Sequence, residues 1–403
     1  MVSKAKACYH IGQRKRLMET QKERLQYVDA LKGIGIIWII FYHLTAAGSF
    51  KTYVLNPLME LFLVLFFFFS GYFYRPNKAP IGKNIGKRAV SLLGPFVVYA
   101  LLFWGIGTIY LVASGQAPFM EALGCLRNFF IGAIWNRDIQ GWFNWEYYSL
   151  GKRYFYLADF WFLLAMFFAS VIFFLIIDKI LKKAPIALGV CVVLFALTGV
   201  CVGLKFTLPY NLHVVPYWAA FMILGALVGN RKLIELPSLQ RGPKYAIGGT
   251  MLVASIVIAL LKAPALNQFR GSFGSDNEVV SMLLCIAAAT PFLGGIGMLF
   301  QQLEQDGVRF NEAAWVGNHS LTYYLFHMFY AWLISIIFGF SVLNMEWWVA
   351  LLVAFGSISL CTGQIFLMDL IVRIIAKKRA KKAIVKAKID AEEPQKEEGM
   401  DHE

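Results

Sequence analysis

Charge is scarce in this sequence. Asp, Glu, Lys and Arg make up 15% of its 403 residues, whereas a soluble domain carries about 25% to keep its surface solvated. That deficit excludes an ordinary water-soluble globule. Cysteine is scarce as well: Cys8, Cys125, Cys191, Cys201, Cys285 and Cys361 are the six present, and none forms a CxxC pair. Only Cys125 is expected in an extracytoplasmic loop, so neither a disulfide framework nor a metal site is suggested. There is no short basic leader of the kind that opens a signal peptide. Residues 1–30 are polar and basic, the first apolar run begins at Leu31, and that run reads as a retained helix. No internal repeat is visible, which weakens an inverted-repeat transporter.

What fills the sequence is apolar. Hydrophobic residues reach 59%, and they come in long blocks instead of amphipathic stripes. One block runs from Leu58 to Tyr74 with Phe66, Phe67, Phe68 and Phe69 in succession. Runs able to cross roughly 30 Å of hydrocarbon lie near 31–48, 57–74, 92–113, 157–178, 185–203, 213–230, 245–262, 279–300, 317–340 and 346–371. The expected fold is an all-α integral membrane bundle of about ten transmembrane helices, with no separate soluble domain. A basic segment, 1–30, precedes the bundle at 31–371, and a basic-then-acidic tail, 372–403, follows it, its acidic end expected to be disordered.

Lysine and arginine decide the orientation. With the N-terminus inside, inner segments hold 30 of the 38 Lys and Arg and outer segments eight. Basic residues resist translocation, so both termini are expected in the cytoplasm and the protein in the plasma membrane of a bacterial-type cell. The net charge of +14 is then topogenic and calls for no nucleic-acid partner. The tail Lys377–Lys388 would lie against an anionic leaflet.

Titratable groups inside a span are expensive, so each is a functional candidate. Lys32 and His43 on the first helix are eleven residues apart. That spacing is three turns plus about 20°, so both project from one face, ~16 Å apart along the axis. Asp29 sits one turn before Lys32 and can pair with it.

A basic residue followed, after ten positions, by histidine on the first helix resembles the signature of the membrane acyltransferase 3 family. The preceding Asp29-Ala-Leu-Lys-Gly-Ile is similar to that family's opening, with Lys32 where arginine is commoner. Phe66–Phe69 with Ser70-Gly71-Tyr72, Lys87-Arg88 with Leu93-Gly94-Pro95, Trp161-Phe162-Leu163, and Gly317-Asn318-His319-Ser320-Leu321 through Tyr324-Leu325-Phe326-His327 resemble further landmarks in the same order. The resemblance covers most of residues 25–335. It implies acyl transfer, most simply acetyl transfer, from cytoplasmic acyl-CoA to a hydroxyl of an extracytoplasmic or lipid-linked polysaccharide. The alternative is a transporter or flippase that moves an acylated or lipid-linked solute without chemistry.

Within that reading His43 is the candidate base or transient acyl acceptor, its ordinary titration near neutrality suiting either role. Glu60, expected at the depth of His43, is a candidate orienter, and Asp159 a rival. Lys32 and Arg88 are assigned to the CoA phosphates. Of the basic residues at 75–88, Arg88 alone is picked, the others reading as topogenic charge. Ser70 reads as a close-packing neighbour of Gly71 more than as a nucleophile and is placed at the donor end. Trp145 and Tyr148, in the aromatic stretch Phe129–Phe162, are expected to face the acceptor together with Asp159. His327, mid-span, either lines the cavity or is a buried structural histidine.

Overall fold

The structure, a computed structural model, describes residues 25–45, 50–76, 79–125, 160–204, 206, 208–261, 278–339 and 346–397. These residues form helices and turns, and no strand occurs among them. Ten helices among them are long and apolar enough to cross a membrane. The protein is therefore a multi-pass membrane protein, because only helices and closed barrels satisfy backbone hydrogen bonds in hydrocarbon.

Helix α1 spans Gln26–Leu44. It starts before the apolar run expected from Leu31, and a distant residue explains why. The Glu304 carboxylate accepts from the backbone N–H groups of Gln26 (3.1 Å) and Tyr27 (3.2 Å), capping the first turn. A π-helical turn, Lys51–Leu55, leads into α2, Asn56–Tyr72, with Pro57 at its start. Apolar on all sides, α2 is buried nearly all round, from Leu61 through Phe69, as a central helix must be.

The third span is composite. Short α3, Ile81–Arg88, passes through a π-helical turn, Ala89–Leu93, into α4, Gly94–Ala113. Pro95 lacks a backbone N–H and cannot bond back into the preceding turn, which loosens the helix there. Then follow α5, Trp161–Ile180, α6, Ala184–Gly203, and α7, Val215–Arg231. After these come α8, Arg241–Leu261, and α9, Glu278–Gln305. The expected single run at 317–340 is broken at His319 into α10, Asn311–Asn318, and α11, Ser320–Phe338. The last helix, α12, spans Trp347–Glu397 and thus stays helical through the lysine-rich stretch and into the acidic one expected to be disordered. Its Ala, Lys and Glu content favours helix.

Two glycine seams fix the centre. A Cβ on Gly71 would collide with the Met222 carbonyl, one on Gly225 with the Phe68 carbonyl, and one on Gly229 with the Tyr72 carbonyl. Backbone thus meets backbone where α2 crosses α7, the usual device for close helix association in lipid. Likewise Gly33 of α1 abuts the Ala313 carbonyl, and Gly317 of α10 abuts the Asp29 carbonyl. Peripheral α6 and α8 expose Val192, Val193, Val253 and Leu261, the apolar surface lipid would cover.

Candidate active site

A cavity of ≈ 470 Å³ opens among α1, α2, the α3–α4 turn, α5 and the α10–α11 break, within the roughly 300–1,000 Å³ of small-molecule sites. One face of α1 runs along it: Asp29, Lys32, Ile36, Ile39 and His43. This is the helical spacing the sequence gives, so Lys32 and His43 share one cavity. Lys32 Nζ lies 3.4 Å from Asp29 Oδ1 and 5.8 Å from the centre of the Phe73 ring.

Opposite, α2 contributes Met59, Leu63, Phe66, Phe69 and Ser70. The Arg88 guanidinium donates to Ser70 Oγ at 2.5 Å, and both side chains line the cavity. Arg75, Lys83 and Lys87 are exposed and absent from the lining. The π-helical turn that follows Arg88 places Ser91 and Leu92 on the cavity wall beside it. Trp161, Phe162, Leu163 and Met166 of α5 close another side.

The sequence did not single out Ser91, Asn318, Ser320 and Tyr324 as site residues, yet all four line the cavity. Asn318, Ser320 and Tyr324 belong to a quoted motif and could have been found there. Their presence depends on the break at His319, whose Nδ1 lies 2.8 Å from the Trp315 carbonyl, so that the His319 side chain caps the end of α10.

The remaining candidates stand elsewhere. Glu60 is buried but outside the lining; one residue beyond Met59, it turns about 100° away around the helix and has Tyr217 of α7 as an electrostatic neighbour. His327 is fully buried and also outside the lining. Its ring lies 5.6 Å, centre to centre, from that of His43. Trp145, Tyr148 and Asp159 lie outside the described residues.

The cavity is thus polar at the end of Asp29, Lys32, Ser70 and Arg88, apolar in its middle, and bounded by an imidazole at the far end of the α1 face. The model of a family described as an acyltransferase domain matches residues 25–363. The chain belongs to the acyltransferase 3 family. Among curated proteins, none matches it. Membership makes this membrane protein an acyltransferase. Residues from the motifs on α1, α2, α3, α5 and the α10–α11 break, far apart in sequence, line the one cavity: Lys32 and His43, Ser70, Arg88, Trp161 and Asn318 among them.

Proposed function

We propose that this acyltransferase moves an acyl group, most simply acetyl, from coenzyme A to a hydroxyl of an extracytoplasmic or lipid-linked polysaccharide, with His43 as general base. The observation that carries the reading is the cavity itself. It joins two cations, Lys32 and Arg88, to an imidazole ~16 Å along one helix face. Cations at one end suit the phosphates of CoA, Lys32 as a point charge and Arg88 as a planar fork. The apolar middle suits the pantetheine arm, which would present its thioester toward His43.

In the step itself, a ring nitrogen of His43 takes the acceptor's hydroxyl proton as the oxygen attacks the thioester carbonyl carbon. The new C–O bond forms, the C–S bond breaks, and the departing sulfur receives the proton from His43. Ser70 is held by Arg88 and is given no nucleophilic part. Glu60 is given no part either, because Met59 and Leu63 occupy the α2 face that lines the cavity. The excess of Lys and Arg on the segments shared with the N-terminus supports a cytoplasmic donor end in a plasma membrane, with the acceptor approaching from outside.

The test is acyl-CoA turnover by the purified protein in nanodiscs. Free thiol is followed after acetyl-CoA is added, with and without a crude surface-glycan fraction. We expect His43→Ala to lose on the order of 10²-fold or more of the rate while remaining folded. Undiminished acylation in that variant would remove His43 from the chemistry. No thiol release from folded wild type with any acyl-CoA or acceptor would instead favour movement of a solute without chemistry.

A further inference from the structure

Acyl transfer as described leaves His327 without a task. The residue sits on α11 with no solvent exposure, its ring tilted 43° to that of His43. Its Nδ1 faces two carbonyls of its own helix, Tyr324 at 2.8 Å and Tyr323 at 3.0 Å. Carbonyl oxygens only accept, so Nδ1 carries a hydrogen and donates. A neutral imidazole with its hydrogen on Nδ1 has its lone pair at Nε2. The two rings are neighbours, 5.6 Å apart between centres, and no hydrogen bond joins them in this structure; a turn of the His43 ring is needed to make one, as happens where catalytic hydrogen bonds tighten only in the loaded site. The helix therefore fixes the tautomer of His327 and leaves Nε2 as its acceptor.

We propose that His327 is a positioning residue for the transfer: when donor and acceptor are bound, the His43 ring turns so that Nε2 of His327 accepts a hydrogen bond from one of its nitrogens, which holds the other toward the cavity as the base. The inference rests on the acyl-transfer reading above. As His43 takes the hydroxyl proton it becomes a cation with both nitrogens protonated. The nitrogen turned to His327 keeps its hydrogen and its bond, and the bond strengthens as the charge forms. His327 neither gains nor loses a proton, and the proton taken by His43 leaves with the sulfur. A neutral imidazole thereby does what a carboxylate does behind the base of hydrolytic triads. It does so without placing a second full charge in the hydrocarbon, where a carboxylate is costly.

The experiment uses the full chain in nanodiscs: wild type, His43→Ala, His327→Phe and His327→Gln, each checked by thermal melting. Phenylalanine keeps the ring volume but accepts no hydrogen bond; the glutamine side-chain oxygen accepts one. The expected result is a fall in kcat on the order of 10²-fold for His327→Phe, with KM for acetyl-CoA changed by less than about twofold. His327→Gln should recover about tenfold of that loss. Nitrogen-15 histidine spectra of the wild type should show His327 with its hydrogen on Nδ1, and His327→Phe should alter the tautomer balance of His43. A kcat for His327→Phe within about twofold of wild type, alongside turnover that needs His43, would overturn the positioning role alone. So would a wild-type His327 protonated on Nε2 only, a result that stands even if the phenylalanine variant fails to fold. Wild type without any turnover dependent on His43 would instead remove the acyl-transfer reading, and this role with it.

Discussion

Arg88 shows how a single side chain among several of like charge is picked out. Five basic residues occupy 75–88, and composition alone gives them one common explanation. The protein separates them by burial: Arg75, Lys83 and Lys87 face outward, while Arg88 is partly buried against Ser70 and the cavity. A guanidinium that binds phosphate contributes about 1.5–3 kcal/mol through charged hydrogen bonds. Arg88→Ala should therefore raise KM for acyl-CoA by roughly tenfold or more, with a smaller change in kcat, whereas Lys83→Ala should change neither. Equal effects of the two substitutions on KM would show that charge near the mouth matters and placement does not. Lys32 and His43 were legible from sequence because helical periodicity alone sets their common face. Asn318, Ser320 and Tyr324 were not picked, because a broken helix, not a periodic one, brings them to the site.

Among elements, seams and breaks do the positioning. Gly33 and Gly317 allow α1 and α10 to touch through their backbones, so any side chain at either position must push the helices apart. Gly317→Leu should destabilise the protein by about 1–3 kcal/mol or more. It should also lower acyl-transfer activity, since α1 carries both Lys32 and His43. Gly82→Ala, which meets nothing within 4 Å, serves as the control and should melt like wild type; comparable melting of Gly317→Leu would refute the seam. The ten apolar runs were readable because the bilayer demands them, and their limits were readable to within a few residues in most cases. The start of α1 was not, because its cap is the carboxylate of Glu304, 278 residues away in sequence. The π-helical turn before α4 could be suspected from Pro95, but its direction depends on what it packs against.

For the molecule as a whole, the sidedness of charge is the property most open to test. The ends of α2, α5 and α7 and the turn after α7 gather beside the start of α1, tied by Tyr27 to Tyr72 (3.1 Å), Tyr72 to Glu235 (2.6 Å), Tyr74 to Asp178 (2.7 Å) and Asn230 to the Tyr74 carbonyl (3.2 Å). Burial and the bond to Asp178 hold the Tyr74 hydroxyl protonated above its ordinary range. Cysteines introduced by Lys83→Cys and Lys232→Cys should react with impermeant thiol reagents only from the cytoplasm, and one from Gly115→Cys only from outside. The reverse pattern would invert the assignment of donor and acceptor ends. The seam between Gly33 and Gly317 also bears on the size of the transferred group. With backbone set against backbone there, the Lys32 end of α1 has no slack against α10, and the side chains that line the rest of the cavity set its room. In the transfer proposed above, Ile39, Met59 and Leu63, which line the cavity together with His43, would act as a ruler for acyl length, and a relative that carries a longer chain would differ from this protein in the volume of those residues while leaving its histidines in place.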